Sequence, residues 1–62
     1  MEYMKRARKR RNLTQQQLGK LVGLSVSAIS LYESGKRTPS VDVAKLIARV
    51  LGFKWERFYD DV

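Results

Sequence analysis

The stretch Thr14–Gly35, TQQQLGKLVGLSVSAISLYESG, decides the fold of this chain. It contains two short helical patterns on either side of Gly23, the first preceded by Thr14 and the second by Ser25. Threonine and serine are favoured at helix N-caps, and glycine supplies the left-handed conformation that a tight turn requires. Gly19 costs about 1 kcal/mol of helix propensity relative to alanine, which indicates that another helix approaches closely there. The stretch therefore predicts two helices packed across a tight turn.

Apolar spacing predicts three further helices around this stretch. The strongest pattern follows the i, i+3, i+4, i+7, i+8 rule of an amphipathic helix, over Val43, Leu46, Ile47, Val50 and Leu51. Within the stretch itself, the side chains expected in the core are Leu18, Leu21, Val22, Ala28, Ile29 and Tyr32. The five predicted helices cover residues 2–11, 15–22, 26–34, 41–51 and 54–60. Together they predict a single all-α domain over residues 1–62.

The composition argues against several classes of function. The 62 residues include no cysteine and no histidine, so disulfides are excluded and a zinc site would lack its two commonest ligands. The six acidic residues are scattered and form neither a nucleophile–base pair nor a metal cluster. We therefore expect no enzyme activity, metal, cofactor or small-molecule ligand. There is also no apolar run long enough for a membrane span or signal peptide, which favours a cytoplasmic protein.

The formal net charge of +7 is concentrated in one half of the chain. Residues 1–37 contain nine Lys/Arg and two Glu, whereas residues 38–62 contain four basic and four acidic residues. A one-sided basic field attracts a polyanion, either nucleic acid or an anionic membrane surface, although a charge run can also serve solubility alone. Because the excess coincides with residues 14–35, we favour DNA as the polyanion.

The outward face of the third predicted helix has an unusual composition. It carries two aliphatic residues among three serines: Val26, Ser27, Ser30, Leu31 and Ser34. This mixture suits neither a core nor an ordinary soluble surface, so it indicates a face that meets another surface. Near the C-terminus, the aromatic residues leave two interpretations open. Trp55 and Tyr59 either complete the core with Phe58 or present an aromatic dimer patch.

A string of residues along the chain resembles the Xre/Cro/cI-type helix-turn-helix domain of phage and bacterial repressors, over about residues 4–59. The string is Arg8…Leu13-Thr14-Gln15…Leu18-Gly19…Gly23-Leu24-Ser25…Ile29-Ser30…Glu33-Ser34-Gly35-Lys36…Pro39-Ser40…Leu51-Gly52. The resemblance implies a compact five-helix, lambda-repressor-like fold. In that fold the third helix enters the major groove of double-stranded DNA, usually as a homodimer on a pseudo-palindromic operator.

The resemblance also implies which residues would contact DNA. By position, base-edge contacts fall to Val26, Ser27, Ser30 and Leu31. Phosphate contacts fall to Gln15, Ser34 and Lys36. To these we add three cations, chosen for their charge and place in the chain: Arg37, Arg10 and Arg11. The resemblance further pairs Arg8 with Glu33 as a structural ion pair, and a dimer contact near the fifth helix assigns Trp55 and Tyr59 to the interface.

This chain departs from the family pattern at two places. Val26 and Leu31 stand where many members have Gln or Arg, and Ser34 stands where the family usually has Asn. The first departure leaves fewer bidentate base contacts, so specificity should depend on thymine methyl groups, serine hydroxyls and DNA shape. The second weakens one phosphate contact.

The function expected from sequence is a sequence-specific transcriptional regulator, a repressor that acts by operator occlusion at the nucleoid. The apolar part of the third helix keeps an alternative open, a protein-interaction module such as an antitoxin-like or anti-repressor partner. A weaker alternative places the basic first helix on an anionic membrane. The narrow apolar face of that helix argues against it.

Overall fold

The computed structural model describes residues 1–60, and Asp61 and Val62 lie outside the described residues. Four α-helices follow one another along the chain: α1 (Glu2–Arg10), α2 (Gln15–Val22), α3 (Val26–Glu33) and α4 (Val41–Leu51). A 3-10 helix at Trp55–Tyr59 closes the fold. The description of this part of the chain as all-helical is confirmed, since residues 1–60 contain no strand.

The fifth element corrects the prediction of five α-helices, because it is a 3-10 helix of five residues. Its backbone N–H groups reach back three residues, with Arg57 N donating to the Lys54 carbonyl at 3.0 Å. Phe58, within this helix, is in the core, and Phe53, before it, packs against the core. The centroids of these two rings lie 5.4 Å apart.

Hydroxyl side chains begin three of the α-helices, as the sequence predicts. The Ser25 and Ser40 side chains accept backbone N–H groups from Ala28 and Val43. Thr14 forms a reciprocal pair of hydrogen bonds with Gln17. Its hydroxyl accepts the Gln17 N–H at 3.0 Å, and the Gln17 side chain accepts the Thr14 N–H at 2.9 Å. This capping box satisfies two otherwise unpaired donors and fixes where α2 begins.

Two glycines set the geometry of the turn between α2 and α3. Gly23 adopts a left-handed conformation with φ of 73°, which ends α2. The N–H of Leu24 then donates to the Gly19 carbonyl at 2.8 Å. A Cβ on Gly19 would collide with the carbonyl oxygen of Leu24. The close approach inferred from Gly19 is therefore real, but the approaching group is the backbone of the turn rather than another helix.

One large, fully buried side chain from each element forms the centre of the core. These five residues are Met4, Leu18, Ile29, Ile47 and Phe58. Partly buried side chains, including Leu13, Leu24 and Phe53, pack around them. In a chain this small the core is limited, and each element contributes one large side chain to its centre.

Two leucines predicted in the core are on the surface instead. Leu21 is 60% exposed on α2 and Leu46 is 44% exposed on α4. The buried stripe of α4 consists of Ala44, Ile47, Ala48 and Leu51. At about 100° per residue, Leu46 lies roughly 150° from the centre of that stripe. The sequence pattern misled because Leu46 shares the i, i+3, i+4 spacing of the other large apolar residues of α4, whereas the buried stripe is rotated toward Ala44 and Ala48.

A buried ion pair joins α1 to α3. Arg8 Nε donates to Glu33 Oε2 at 2.6 Å, and Arg8 Nη2 donates to Glu33 Oε1 at 3.2 Å. The third guanidinium nitrogen, Nη1, donates to the Leu13 carbonyl at 2.7 Å. Among residues 1–60, no buried side-chain nitrogen or oxygen lacks a hydrogen-bond partner. Arg8 therefore ties α1, the α1–α2 connection and α3 together.

Removing Arg8 should strongly destabilise the domain. Arg8→Ala leaves the Glu33 carboxylate buried without its countercharge, which costs about 3–5 kcal/mol. A domain of this length has only about 3–9 kcal/mol of stability, so the substitution should remove at least about a third of it. Urea unfolding followed by far-ultraviolet circular dichroism measures the loss. Lys9→Ala, on the exposed side of α1, is the control and should change stability by less than about 0.5 kcal/mol. A loss below about 1 kcal/mol for Arg8→Ala would contradict this account.

Candidate nucleic-acid interface

The outward face of α3 presents two serine hydroxyls flanked by two aliphatic side chains. At about 100° per residue, these side chains cover roughly 140° of the helix circumference, in the order Val26, Ser30, Ser27, Leu31. Val26 is 44% exposed. Both serines are exposed, and Leu31 is half-buried. The four residues that the resemblance assigns to base contacts therefore share one accessible face of α3.

A groove beside this face brings α1, α2 and α3 together. Its lining residues are Glu2, Lys5, Gln15, Ser30, Glu33 and Ser34. Gln15 is the first residue of α2, and its Nε2 donates to Glu33 Oε1 at 3.2 Å. One hydrogen of the Gln15 amide is used in this contact, which leaves the second available to a phosphate oxygen. The groove thus places Gln15, Ser30 and Ser34, which the sequence analysis assigned to DNA, next to one another.

Lys5 is the residue that sequence reasoning missed in this groove. It is exposed and lies on the same side of α1 as Arg8, three residues later, whose side chain points toward α3. The pairing of Arg8 with Glu33 was the signal that could have identified Lys5. Once Arg8 is known to face α3, the i−3 position must lie near the same helix.

The C-terminal end of α3 leads into a basic loop that contains Lys36 and Arg37. Gly35 has a φ of 78°, the Lys36 N–H donates to the Leu31 carbonyl at 3.0 Å, and the Gly35 N–H donates to the Tyr32 carbonyl at 3.2 Å. These two bonds form a Schellman motif, which fixes the direction of the chain after α3. Lys36 and Arg37 are both exposed, and within residues 1–60 neither forms an ion pair.

Ser34 takes part in the same helix end. Its hydroxyl donates to the Leu31 carbonyl at 3.1 Å. A hydroxyl has a single proton, so Ser34 must turn away from Leu31 before it can donate to a phosphate oxygen. An asparagine amide, with two N–H donors, would not face this choice.

The structure does not bring Arg10 and Arg11 together with Gln15. Arg10 lines a separate cleft formed with Tyr3, Arg6, Ala7, Leu51, Gly52, Phe53 and Arg57. The guanidinium of Arg11 lies against Gly52, at the end of α4. Around α1, Arg10 lies about 140° from Lys5. Both arginines therefore extend toward α4, on a different flank of α1 from the groove.

Trp55 and Tyr59 lie side by side on the 3-10 helix, with ring centroids 6.1 Å apart. Tyr59 is 42% exposed, and its hydroxyl donates to the Pro39 carbonyl at 2.7 Å. Trp55 is half-buried, and Lys45 Nζ lies 5.2 Å from the centroid of its ring. Phe58 completes the core, as expected. The two neighbouring aromatic residues each keep part of their surface accessible.

Two further observations concern other classes of site. In residues 1–60, no three residues among His, Cys, Asp and Glu are grouped so that they could hold a metal ion. None of the helices in the same range has the length and apolar character needed to cross a membrane.

Comparison with known proteins identifies the family. A family model described as helix-turn-helix matches residues 4–58. The chain belongs to the Xre/Cro/cI-type helix-turn-helix family. It is 34% identical over 61 residues to the uncharacterized HTH-type transcriptional regulator YqaF of Bacillus subtilis (strain 168), an alignment that covers 98% of this chain and 80% of the relative.

A second relative comes from an archaeon. The chain is 39% identical over 56 residues to an uncharacterized HTH-type transcriptional regulator of Archaeoglobus fulgidus, covering 90% of this chain and 79% of that protein. No solved structure matches the chain at a significant level. Membership in the helix-turn-helix family confirms the resemblance inferred from the sequence, and it supports a role as a DNA-binding transcriptional regulator.

The different positions of Lys5 and Arg10 give a test of the groove. We expect Lys5→Ala to weaken duplex DNA binding about 3–10-fold near 0.1 M salt and to reduce the salt slope by about 1 for each protomer. Arg10→Ala removes the same charge from the other flank of α1, so it should lower affinity less than about threefold and leave the slope nearly unchanged. Fluorescence anisotropy over a salt series measures both quantities. Equal effects of the two substitutions would show that the groove is not the phosphate-binding side.

Proposed function

We propose that the protein is a sequence-specific, double-stranded DNA-binding repressor, which acts in the cytoplasm at the nucleoid by covering its operator. The observation that carries this proposal is the exposed face of α3, with candidate phosphate-binding groups in the groove beside it and directly after its C-terminal end. Membership in the helix-turn-helix family supports the same conclusion.

The proposed orientation places α3 in the major groove. The major groove of B-DNA is about 12 Å wide, which matches the diameter of about 10–12 Å of an α-helix with its side chains. The exposed arc of α3 then faces the base edges, and Val26, Ser27, Ser30 and Leu31 make the base contacts. Ile29 and Tyr32, on the opposite side of α3, remain buried in the core.

Phosphate contacts beside α3 and after its C-terminal end would hold it in this position. In the groove beside α3 lie Lys5, Gln15 and Ser34, together with the backbone N–H groups at the start of α2, where the helix dipole favours an anion. Directly after α3 come Lys36 and Arg37. Arg10 and Arg11, whose side chains extend toward α4, would contribute mainly to long-range attraction rather than to direct contact.

The buried ion pair gives this arrangement its rigidity. Glu33 is held by Arg8 and also accepts a hydrogen bond from the Gln15 amide. The side chain of Gln15 is therefore positioned before DNA arrives. A prepositioned donor loses less conformational entropy on binding than a mobile one.

We further propose that the protein binds as a homodimer on a pseudo-palindromic operator. α3 has eight residues and can contact only a few base pairs, so two copies would be needed for useful specificity. Trp55 and Tyr59 are the proposed interface residues, because they form an adjacent pair with accessible surface. A two-fold axis through this patch would place identical surfaces against each other.

Operator occlusion is the simplest mode of repression for such a protein. It requires only that the bound domain block the polymerase, so it needs no surface beyond those described above. The alternative of a protein-interaction module rests on the exposed aliphatic surface, namely Val26 together with Leu21. Binding to a protein partner that does not change with salt, with no duplex binding at low salt, would favour that alternative.

Substitutions at Ser27 and Lys36 should separate base contacts from phosphate contacts. Ser27→Ala should change the preference among duplexes by about 1–3 kcal/mol, because it removes a hydrogen bond to a base edge. Lys36→Ala should weaken operator and random duplexes alike and reduce the salt slope by about 1, because phosphates carry no sequence information. Both are measured by anisotropy titration on operator and random duplexes. Identical losses on both duplexes for both variants would contradict the placement of α3 in the groove.

A further inference from the structure

We propose that α3 recognises its site chiefly through the C5-methyl groups of pyrimidines, and that it therefore treats 5-methylcytosine much like thymine. This inference rests on the proposed function, because it concerns the same face of α3. It goes beyond that function by naming the chemical group that is read and a DNA modification to which binding responds.

The first argument is that α3 lacks the side chains that read bases in a bidentate manner. Its sequence, VSAISLYE, contains no arginine, lysine, asparagine or glutamine. Guanine is usually recognised by Arg or Lys, and adenine by Asn or Gln. The one acidic residue, Glu33, which could accept from cytosine, is buried and paired with Arg8. None of these direct contacts is available from α3.

The second argument concerns the two serines. A hydroxyl is both a donor and an acceptor, so it can pair with the O4 of thymine or with the N4 amino group of cytosine. Ser27 and Ser30 can therefore satisfy either pyrimidine. Hydrogen bonding from these positions discriminates weakly between thymine and cytosine, and the choice must come from another group.

The third argument is the position of the aliphatic side chains. Val26 and Leu31 lie at the two edges of the exposed arc, with the serines between them. A desolvated aliphatic side chain gains free energy only against another apolar group. The prominent apolar group in the major groove is the C5-methyl of thymine. Burial of Val26 and Leu31 would therefore be most favourable where a methyl group faces each of them.

Side-chain length supports the same conclusion. Serine and valine are short, so they reach base edges only if the backbone of α3 lies deep in the groove. Ala28, at the edge of the exposed side, is also small. A longer side chain at Val26 would hold the helix further out. This close approach is what brings Val26 and Leu31 within van der Waals range of the methyl groups.

Methylation of cytosine follows as a consequence. A 5-methylcytosine places its methyl group at the same position in the major groove as thymine does. At a position read only through this group, the protein should bind a duplex with cytosine more weakly than one with thymine. A duplex with 5-methylcytosine should recover most of the lost affinity. A serine hydroxyl that donates to O4 of thymine can instead accept from the N4 amino group of 5-methylcytosine.

The test replaces thymines by deoxyuridine, one at a time, in a duplex that the protein selects from a random pool. Deoxyuridine removes the methyl group and leaves base pairing and the hydrogen-bonding edge unchanged. We expect affinity to fall about fourfold for each methyl group that is read, and about 15-fold when both symmetric half-sites are changed. Replacing such a thymine by cytosine should also weaken binding, and 5-methylcytosine should restore it to within about twofold. Thymines outside the selected site serve as the control.

Protein variants connect each methyl group to a side chain. In Val26→Ala or Leu31→Ala, the ratio of thymine to deoxyuridine affinities should fall toward 1 at the position facing the altered residue. Val41→Ala truncates an equally exposed valine on α4, outside this face, and should keep the fourfold ratio at both positions, which makes it the matched control. Val26 is on the surface, and the changes in the DNA leave the protein untouched, so the test does not depend on the folding of a variant.

The outcomes separate the two proposals. Salt-dependent, sequence-specific binding that is insensitive to deoxyuridine at every position would overturn methyl recognition and leave the proposed DNA-binding function standing. Failure to select any duplex would overturn both. A fourfold loss at one or more positions of each half-site, removed by Val26→Ala or Leu31→Ala, is the result that methyl recognition requires.

Discussion

The carboxylate of Glu33 is the group on which the rest of the structure depends. Arg8 holds it with two hydrogen bonds and uses its remaining nitrogen on the Leu13 carbonyl, so one guanidinium fixes α1, the α1–α2 connection and α3. The same carboxylate accepts the Gln15 amide at the start of α2. Because the two charges are buried, removing either one would leave the other without a countercharge, which would strongly destabilise the fold. The relative placement of three helices is thereby set by polar geometry rather than by a large core.

The small core explains why such a polar constraint is needed. Five elements contribute one large, fully buried side chain each, and α4 packs through Ala44 and Ala48 as well as Ile47. Alanines bring helices close together but bury little apolar surface. The two hydrogen bonds between Arg8 and Glu33 add a directional contact between α1 and α3, which apolar packing does not provide. The surface of α3 proposed to contact DNA is thus held by a constraint at its edge, because Glu33 lines the groove beside that surface.

The parts of the fold that depend on local chemistry could be predicted from the sequence. Thr14, Ser25 and Ser40 begin helices, and Asn12, at φ 57°, adopts the left-handed conformation expected where α1 ends. The resemblance also gave the Arg8–Glu33 pair. Features that depend on how each helix is rotated against its neighbours could not be predicted. Leu21 and Leu46 have the spacing of core residues, but the direction from which neighbouring helices approach decides which stripe is buried. Arg10 and Arg11 were placed by sequence distance from α2, while the rotation of α1 about its axis directs them toward α4 and directs Lys5 toward the groove.

The measurement that tests the central claim most directly is selection of bound duplexes from a random pool by the full chain, followed by sequencing. Two copies of α3 related by a two-fold axis predict a pseudo-palindrome whose half-sites lie about 34 Å apart, which is one turn of DNA, or a multiple of that distance. The account further predicts that the enriched positions are symmetric about the centre of the site. Enrichment of an asymmetric site would contradict the proposed dimer. A pool that shows no enrichment, although the protein is folded, would contradict the claim that the face of α3 reads DNA.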